Sequence, residues 1–205
     1  MLKFYTPDRK GKIEPYSYRS RARLVGKCIE NIGQAFNNDM VVLGRIHTEK
    51  DVESVVNNDE DSFYSIKQYM KKMKVEFHEN ELRDIVQQAV PTIRYFKNKF
   101  NRKRPFEIDG NLDVLGSTTN KTRSYPSGHS TQAMIIALYV AQKFPEHKDG
   151  LMEAAKEVGM GRVKAGFHFL SDHVAGQMLG TKMFEHMNKE DYGKSLKEYY
   201  LIGTP

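Results

Sequence analysis

Three short stretches of the chain gather residue types that can do chemistry and that fit no amphipathic pattern. The first is Lys97-Asn98-Lys99-Phe100-Asn101-Arg102-Lys103-Arg104-Pro105-Phe106, where five cations fall within eight residues. Such a run repels itself unless solvent or an anion matches it, although a basic helix end also complements the helix dipole. The second is Tyr125-Pro126-Ser127-Gly128-His129-Ser130. Here proline fixes the backbone, Ser127 can cap a helix, and Gly128 removes the side chain that would keep an anion from the first-turn N–H groups, with the titratable His129 beside them. An ordinary helix start with a locally packed histidine would read the same way. The third runs from Gly161 through Arg162, His168 and Asp172 to His173. His168 lies between Phe167 and Phe169, where a charged imidazole needs a partner, and Asp172, four residues on, is placed to accept from a ring nitrogen. His168, Asp172 and His173 are also metal-ligand types, but neighbours on a helix diverge by about 100°, so Asp172 and His173 cannot easily share one ion.

These side chains need elements to hold them, and the periodicity is helical. Ala22, Leu24, Val25, Cys28, Ile29 and Ile32 recur at helical spacing up to Gly33. Asp61-Ser62 can cap a helix from Phe63 to Met73, and Leu82, Ile85, Val86, Ala89, Val90, Ile93 and Phe96 form a long stripe. Pro91 inside that stripe should kink the helix or start a new one. Residues 98–125, with Pro105, Gly110 and Gly116, read as a long functional loop. Helices are then expected over Ser127 to Phe144, Leu151 to about Lys164, and Asp172 to Met187 behind a capping Ser171. The acidic stretch 47–61, with Asp59 in it, reads as a solvated helix and turn. With no repeat and no useful strand alternation, the expectation is an all-α, single-domain helical bundle with the active site at helix ends.

Composition narrows the class. At 205 residues and 39% apolar side chains, one core is the default. The longest apolar run, Ala133 to Ala141, is far below the ~18 residues that cross a bilayer. The first ten residues lack the pattern of a secretory signal, so a cytoplasmic location is expected, and a periplasmic one only if a signal has been removed. Cys28, the one cysteine, cannot form an internal disulfide or a cysteine-rich zinc site. The net charge of +6 sits in the N-terminal arm: residues 1–27 hold eight cations and two anions. A neutral body with a basic arm, residues 1–20 above all, does not point to nucleic acid as a partner. Homo-oligomers are compatible with everything above.

Taken together the three stretches resemble the type 2 phosphatidic acid phosphatase superfamily. The resemblance lies in Lys97 with six residues before Arg104-Pro105, in Pro126-Ser127-Gly128-His129, and in Arg162 with five residues before His168 and three more before Asp172. Tyr125, Phe106 and the Gly166-Phe167-His168-Phe169 string with Ser171-Asp172 make it most similar to the soluble bacterial class A non-specific acid phosphatases. It covers about residues 80–187 and nothing in the N-terminal third. The resemblance implies a phosphatase without metal or cofactor, acting on phosphate mono- or diphosphoesters of a small phosphorylated substrate. His168 would be the nucleophile that forms a phosphohistidine, Asp172 would hold its ring, and His129 would protonate the leaving group and later activate water. Lys97, Arg104, Ser127, Gly128 and Arg162 would bind the phosphate. Vanadium haloperoxidases share this arrangement, so vanadate is an expected inhibitor or, under that alternative, a cofactor on His168. A non-catalytic anion-binding module is the remaining alternative, against which the two histidines speak. Family members commonly have serine where this chain has Gly161, which removes one phosphate hydrogen bond.

Overall fold

The computed structural model describes residues 5–7, 13–15, 39–40 and 52–202, with side chains at 39–40 and 52–187. The expected helix over residues 22–33, Cys28 and the charges of the basic arm lie outside these. What is described is all-α apart from a short antiparallel pair, β1 (Tyr5–Pro7) and β2 (Ile13–Pro15), in which Thr6 faces Glu14. Strands of three residues are too short to show alternation in a sequence.

Helix α1 (Val52–Glu60) is followed by α2 (Tyr64–Met73), where the Asp61 carboxylate accepts from the Phe63 N–H at 3.2 Å. Helix α3 (Glu79–Phe100) carries Glu79 and Glu81 in its first turn and Lys97 and Lys99 in its last, complementing its dipole at both ends. It stops where Asn101 adopts the left-handed conformation, φ 48°. Pro91 neither ends nor splits it. The proline and Gln87, whose carbonyl loses its partner, both face solvent, and the buried stripe from Leu82 to Phe96 holds the helix on both sides of the break. The connection that follows is not wholly irregular, because Pro105 starts a single helical turn, α4 (Pro105–Ile108).

Helix α5 (Gly128–Lys143) is buried on nearly every side, from Ala133 through Ile136 and Ala137 to Val140, which makes it the central helix. A 3₁₀ turn (Pro145–His147) leads to α6 (Lys148–Lys164), and α7 (Leu170–Ile202) completes the order. Helices α3, α6 and α7 pack on α5. Glycines set how closely they do so. A Cβ on Gly176 would lie 2.6 Å from the Ser127 carbonyl oxygen, and one on Gly180 would lie 2.6 Å from that of Thr131. On α6, a Cβ at Gly159 would fall 2.0 Å from His173 Nδ1. These close approaches bring the start of α5, the end of α6 and the start of α7 to one point. Ser171 does not cap α7: the helix begins one residue earlier, and the Ser171 hydroxyl instead donates to Asp39.

Candidate active site

Lys97, Arg104, Gly128, His129 and His168 line one cavity of about 340 Å³ at this meeting point. Each arrives for a local reason. Lys97 is on the last turn of α3, buried, and donates to the backbone carbonyls of Arg123 and of Ser124, the latter at 3.2 Å. Arg104, before the α4 turn, is 2% exposed; its Nε donates to Thr122 O at 2.7 Å and its Nη1 to Phe167 O at 2.9 Å. Two carbonyls thus tie the guanidinium to the loop before α5 and to the turn before α7. Ser127 caps α5, accepting from the Ser130 N–H at 3.3 Å and from its hydroxyl at 3.0 Å, so its side chain is spent on the helix start. A Cβ on Gly128 would make only ordinary contacts, 3.6 Å to Ile93 and 3.9 Å to Lys97, so what the glycine keeps open is the cavity itself.

The third stretch divides. His168 Nδ1 lies 3.2 Å from Asp172 Oδ2, and Arg104 Nη1 lies 3.4 Å from His168 Nε2. His173 turns away to the Ser130 hydroxyl at 2.9 Å, so it does not join His168 and Asp172 in a ligand set. Arg162 is 1% exposed and is bonded to two residues of the cavity lining, Asp59 and Thr119. Its Nη1 is bonded to the Asp59 carboxylate, its Nη2 donates to Thr119 at 3.1 Å, its plane covers the Phe167 ring at 4.3 Å, and its buried Nε has no partner.

The reading of the acidic stretch as solvated holds for the exposed Glu53 and Glu60 and fails at Asp59, while residues 47–51 lie outside the described ones. Asp59 is 6% exposed, it lines the cavity, and it accepts from Ser117, from Thr119 and from the Thr118 N–H at 2.9 Å. Its backbone carbonyl lies 3.3 Å from His129 Nε2. The signal was present in the sequence: Asp59 follows Val55 by one helical turn and shares its buried face. Arg102, Ser124 and Asp39 were also missed. Ser124 donates to Asp172 Oδ2, Arg102 donates to Asp172 Oδ1 at 2.9 Å, and Asp39 accepts from Arg102 at 2.6 Å. Arg102 was one of five clustered cations, and nothing in its spacing separated it from them.

So many buried cations shift one another. Burial, then the charges of Arg104 and Arg162, lower Lys97 to about 7 despite the pull of Asp172. Burial and Arg162 bring Arg104 down to about 10. His129 is pushed to about 3 by burial and Arg162, and His168 lies well below its usual range through burial and the charges of Arg104 and Lys97. Asp59 goes the other way for a carboxylate in a wall: burial would raise it, but the bonds from Ser117 and Thr119 and the charge of Arg162 hold it well below its ordinary value. The charges of Lys97, Arg104 and Arg162 thus act on neighbouring cations and on both histidines, which concentrates positive potential at this point.

The model of the PAP2 superfamily matches residues 85–187, half of the chain. That range holds the residues of all three motifs and leaves Asp39 and Asp59 outside. Over 89 residues the chain is 34% identical to an acid phosphatase of Zymomonas mobilis, covering 42% of this chain and 33% of that protein. It is 33% identical to non-specific acid phosphatases of Salmonella typhi (44% of this chain, 38% of that one) and Providencia stuartii (47% and 41%). The chain therefore spans only about a third to two fifths of the length of these relatives. A crystal structure of a transmembrane PAP2 type phosphatidylglycerolphosphate phosphatase from Bacillus subtilis aligns with a TM-score of 0.44 at 20% identity, covering 86% of this chain and 92% of that one. Among the described residues of the present chain, no helix is long and apolar enough to cross a membrane. With the motif residues gathered at one cavity and the family's model matching from α3 well into α7, the chain belongs to the PAP2 superfamily.

Proposed function

We propose that the protein hydrolyses phosphate mono- or diphosphoesters at this cavity, without a metal ion, through a phosphohistidine on His168. The observation that carries this reading is the pair of contacts on the His168 ring. A guanidinium can only donate, so Nε2 facing Arg104 carries the lone pair, and Nδ1 facing Asp172 carries the proton. That is the tautomer a nucleophile needs. A phosphoryl group beside Nε2 has Arg104 and Lys97 next to its oxygens and the Gly128 helix start beneath it. Attack by Nε2 on phosphorus breaks the bond to the ester oxygen, and His129 gives that oxygen a proton. Water then attacks the phosphohistidine, His129 takes its proton, and orthophosphate leaves with the His168 lone pair restored.

Burial and the charge of Arg162 bring His129 down to about 3, which favours the neutral ring. The proton must therefore come in with the substrate, as the monoanionic ester, and the bound phosphate charge then favours it on His129. Phosphate release from a panel of esters at pH 5–8, in the presence of chelator, tests the reading. Release is expected in chelator, with inhibition by vanadate and complete loss in a folded His168→Ala protein. Activity that vanishes in chelator and returns with a divalent metal would defeat it.

A further inference from the structure

Asp172 has to be an anion if His168 is to keep its proton on Nδ1, yet it sits at 0% exposure, where burial favours the neutral acid. Its Oδ2 is saturated by the Ser124 hydroxyl, by the Phe169 N–H at 2.9 Å and by His168 Nδ1 at 3.2 Å. None of these is a fixed charge. Its Oδ1 accepts from Arg102 Nη1 at 2.9 Å. Arg102 is locked in place: Nη1 also reaches Ser171 Oγ at 2.6 Å, Nη2 reaches Asp39 Oδ2 at 2.6 Å, and the guanidinium lies 4.1 Å over the Phe169 ring. It does not line the cavity.

We propose that Arg102 is a positioning residue which, by pairing with Asp172, keeps that carboxylate ionised and so keeps the His168 lone pair on Nε2. The kinetic consequence rests on the phosphatase reading; the charge state of Asp172 does not. The charged and polar groups around Asp172 are Arg102 from the connection after α3, Lys97 from α3 itself, Arg104 ahead of α4, and His168, Ser124 and the Phe169 N–H in direct contact, with Asp39 paired to Arg102 on its far side. Arg102 is the largest influence opposing burial. Without it, a protonated Asp172 becomes a hydroxyl donor to Nδ1. The imidazole then carries its proton on Nε2 and has no lone pair for phosphorus.

Asp39 gives the inference a second handle, because it shares Arg102 with Asp172. Removing the Arg102 charge should raise the Asp172 pKa, whereas removing the Asp39 charge should lower it. The experiment measures the acid limb of kcat/KM for Arg102→Met and Asp39→Asn beside wild type. It also follows the titration of the Asp172 carboxyl carbon in 13C-aspartate protein, with the resonance identified by Asp172→Asn. Arg102→Met should move limb and titration up by about 1–3 pH units, the usual effect of losing an opposite charge in contact, and Asp39→Asn should move both down. Simple structural damage has no reason to produce shifts of opposite sign. Where Arg102→Met does not fold, Arg102→Lys, which keeps a charge but loses the planar fork, should move both quantities up by less. Unmoved titrations, or shifts of the same sign in both variants, would overturn the inference. A wild-type protein that releases no phosphate would instead sink the phosphatase reading, with the carbon titration still deciding the role of Arg102.

Discussion

Replacing Asp59 by Asn separates what holds the empty site together from what the filled site requires. Asp59 and Arg162 form an ion pair with side chains 7% and 1% exposed. Removing one partner of such a pair leaves the other charge buried and uncompensated, at a cost of about 3–5 kcal/mol. For a chain of this size 3 kcal/mol corresponds to a fall in Tm of about 6–12 °C. Asp59 is held well below the usual carboxylate range, so its contribution is complete above the unfolded value near 4 and is lost only as pH falls through its folded pKa. The deficit should therefore be constant from pH 5 to 8. Binding should change in the opposite sense. The carboxylate occupies Arg162 and lines the cavity, so an incoming phosphate meets a like charge. For unit charges a few ångströms apart at an effective dielectric of about 20 such repulsion is on the order of a few kcal/mol, and screening by water in the open cavity leaves a gain of about tenfold or more in orthophosphate affinity. Calorimetric titration with orthophosphate, and thermal melts with and without it, measure both halves: phosphate should return to the variant a larger part of its lost Tm than it adds to wild type. Weaker phosphate binding in Asp59→Asn would refute the reasoning and make the carboxylate a support for Arg162 during binding.

His129→Ala should slow an alkyl phosphate by about 10²–10⁴, the usual worth of a general acid, and an activated aryl phosphate less. Rapid-quench experiments with the aryl ester should then show a burst of phenol and an acid-labile phosphohistidine. Because Lys97 is a cation only below about 7 in the empty site, orthophosphate affinity should fall as pH rises past that value, and Lys97→Met should bind weakly with a flatter profile in the same titration. Gly176→Ala puts a methyl 2.6 Å from the Ser127 carbonyl oxygen, so denaturant unfolding should show a loss of about 1–3 kcal/mol, as overpacking does, accompanied by reduced turnover because Ser127 caps the helix that opens onto the cavity.

The helices were legible because their apolar stripes repeat at 3.6 residues, as in Ala133, Ile136, Ala137 and Val140 of α5. The cavity-lining motif residues were legible because each sits at a punctuation point, where a helix ends in cations or begins behind Pro-Ser-Gly. What the letters hide is pairing across distance. Asp59 meets Arg162 from 103 positions away, and Asp39 meets Ser171 from 132. No local pattern separates a carboxylate that finds a buried guanidinium from one that faces water. Pro91 does not start a new helix, one of its two expected effects, since tertiary packing on both sides of the proline outweighs one lost backbone bond. Arg162 was assigned to the phosphate site by its motif, and in the structure its guanidinium is bonded to Asp59, a residue no motif contains.

Those long-range pairs bear on any attempt to excise the matched half as a fragment. Cutting the chain ahead of α3 would remove Phe63, Ile66 and Met70 from the main apolar cluster and both Asp39 and Asp59 from their guanidinium partners. The matched stretch would keep all its signature letters and lose the carboxylate paired with Arg162 and one of the two paired with Arg102. A family boundary drawn by similarity and a boundary drawn by charge balance therefore differ in this molecule, since among the described residues a piece that keeps both of these ion pairs must include Asp39 and Asp59.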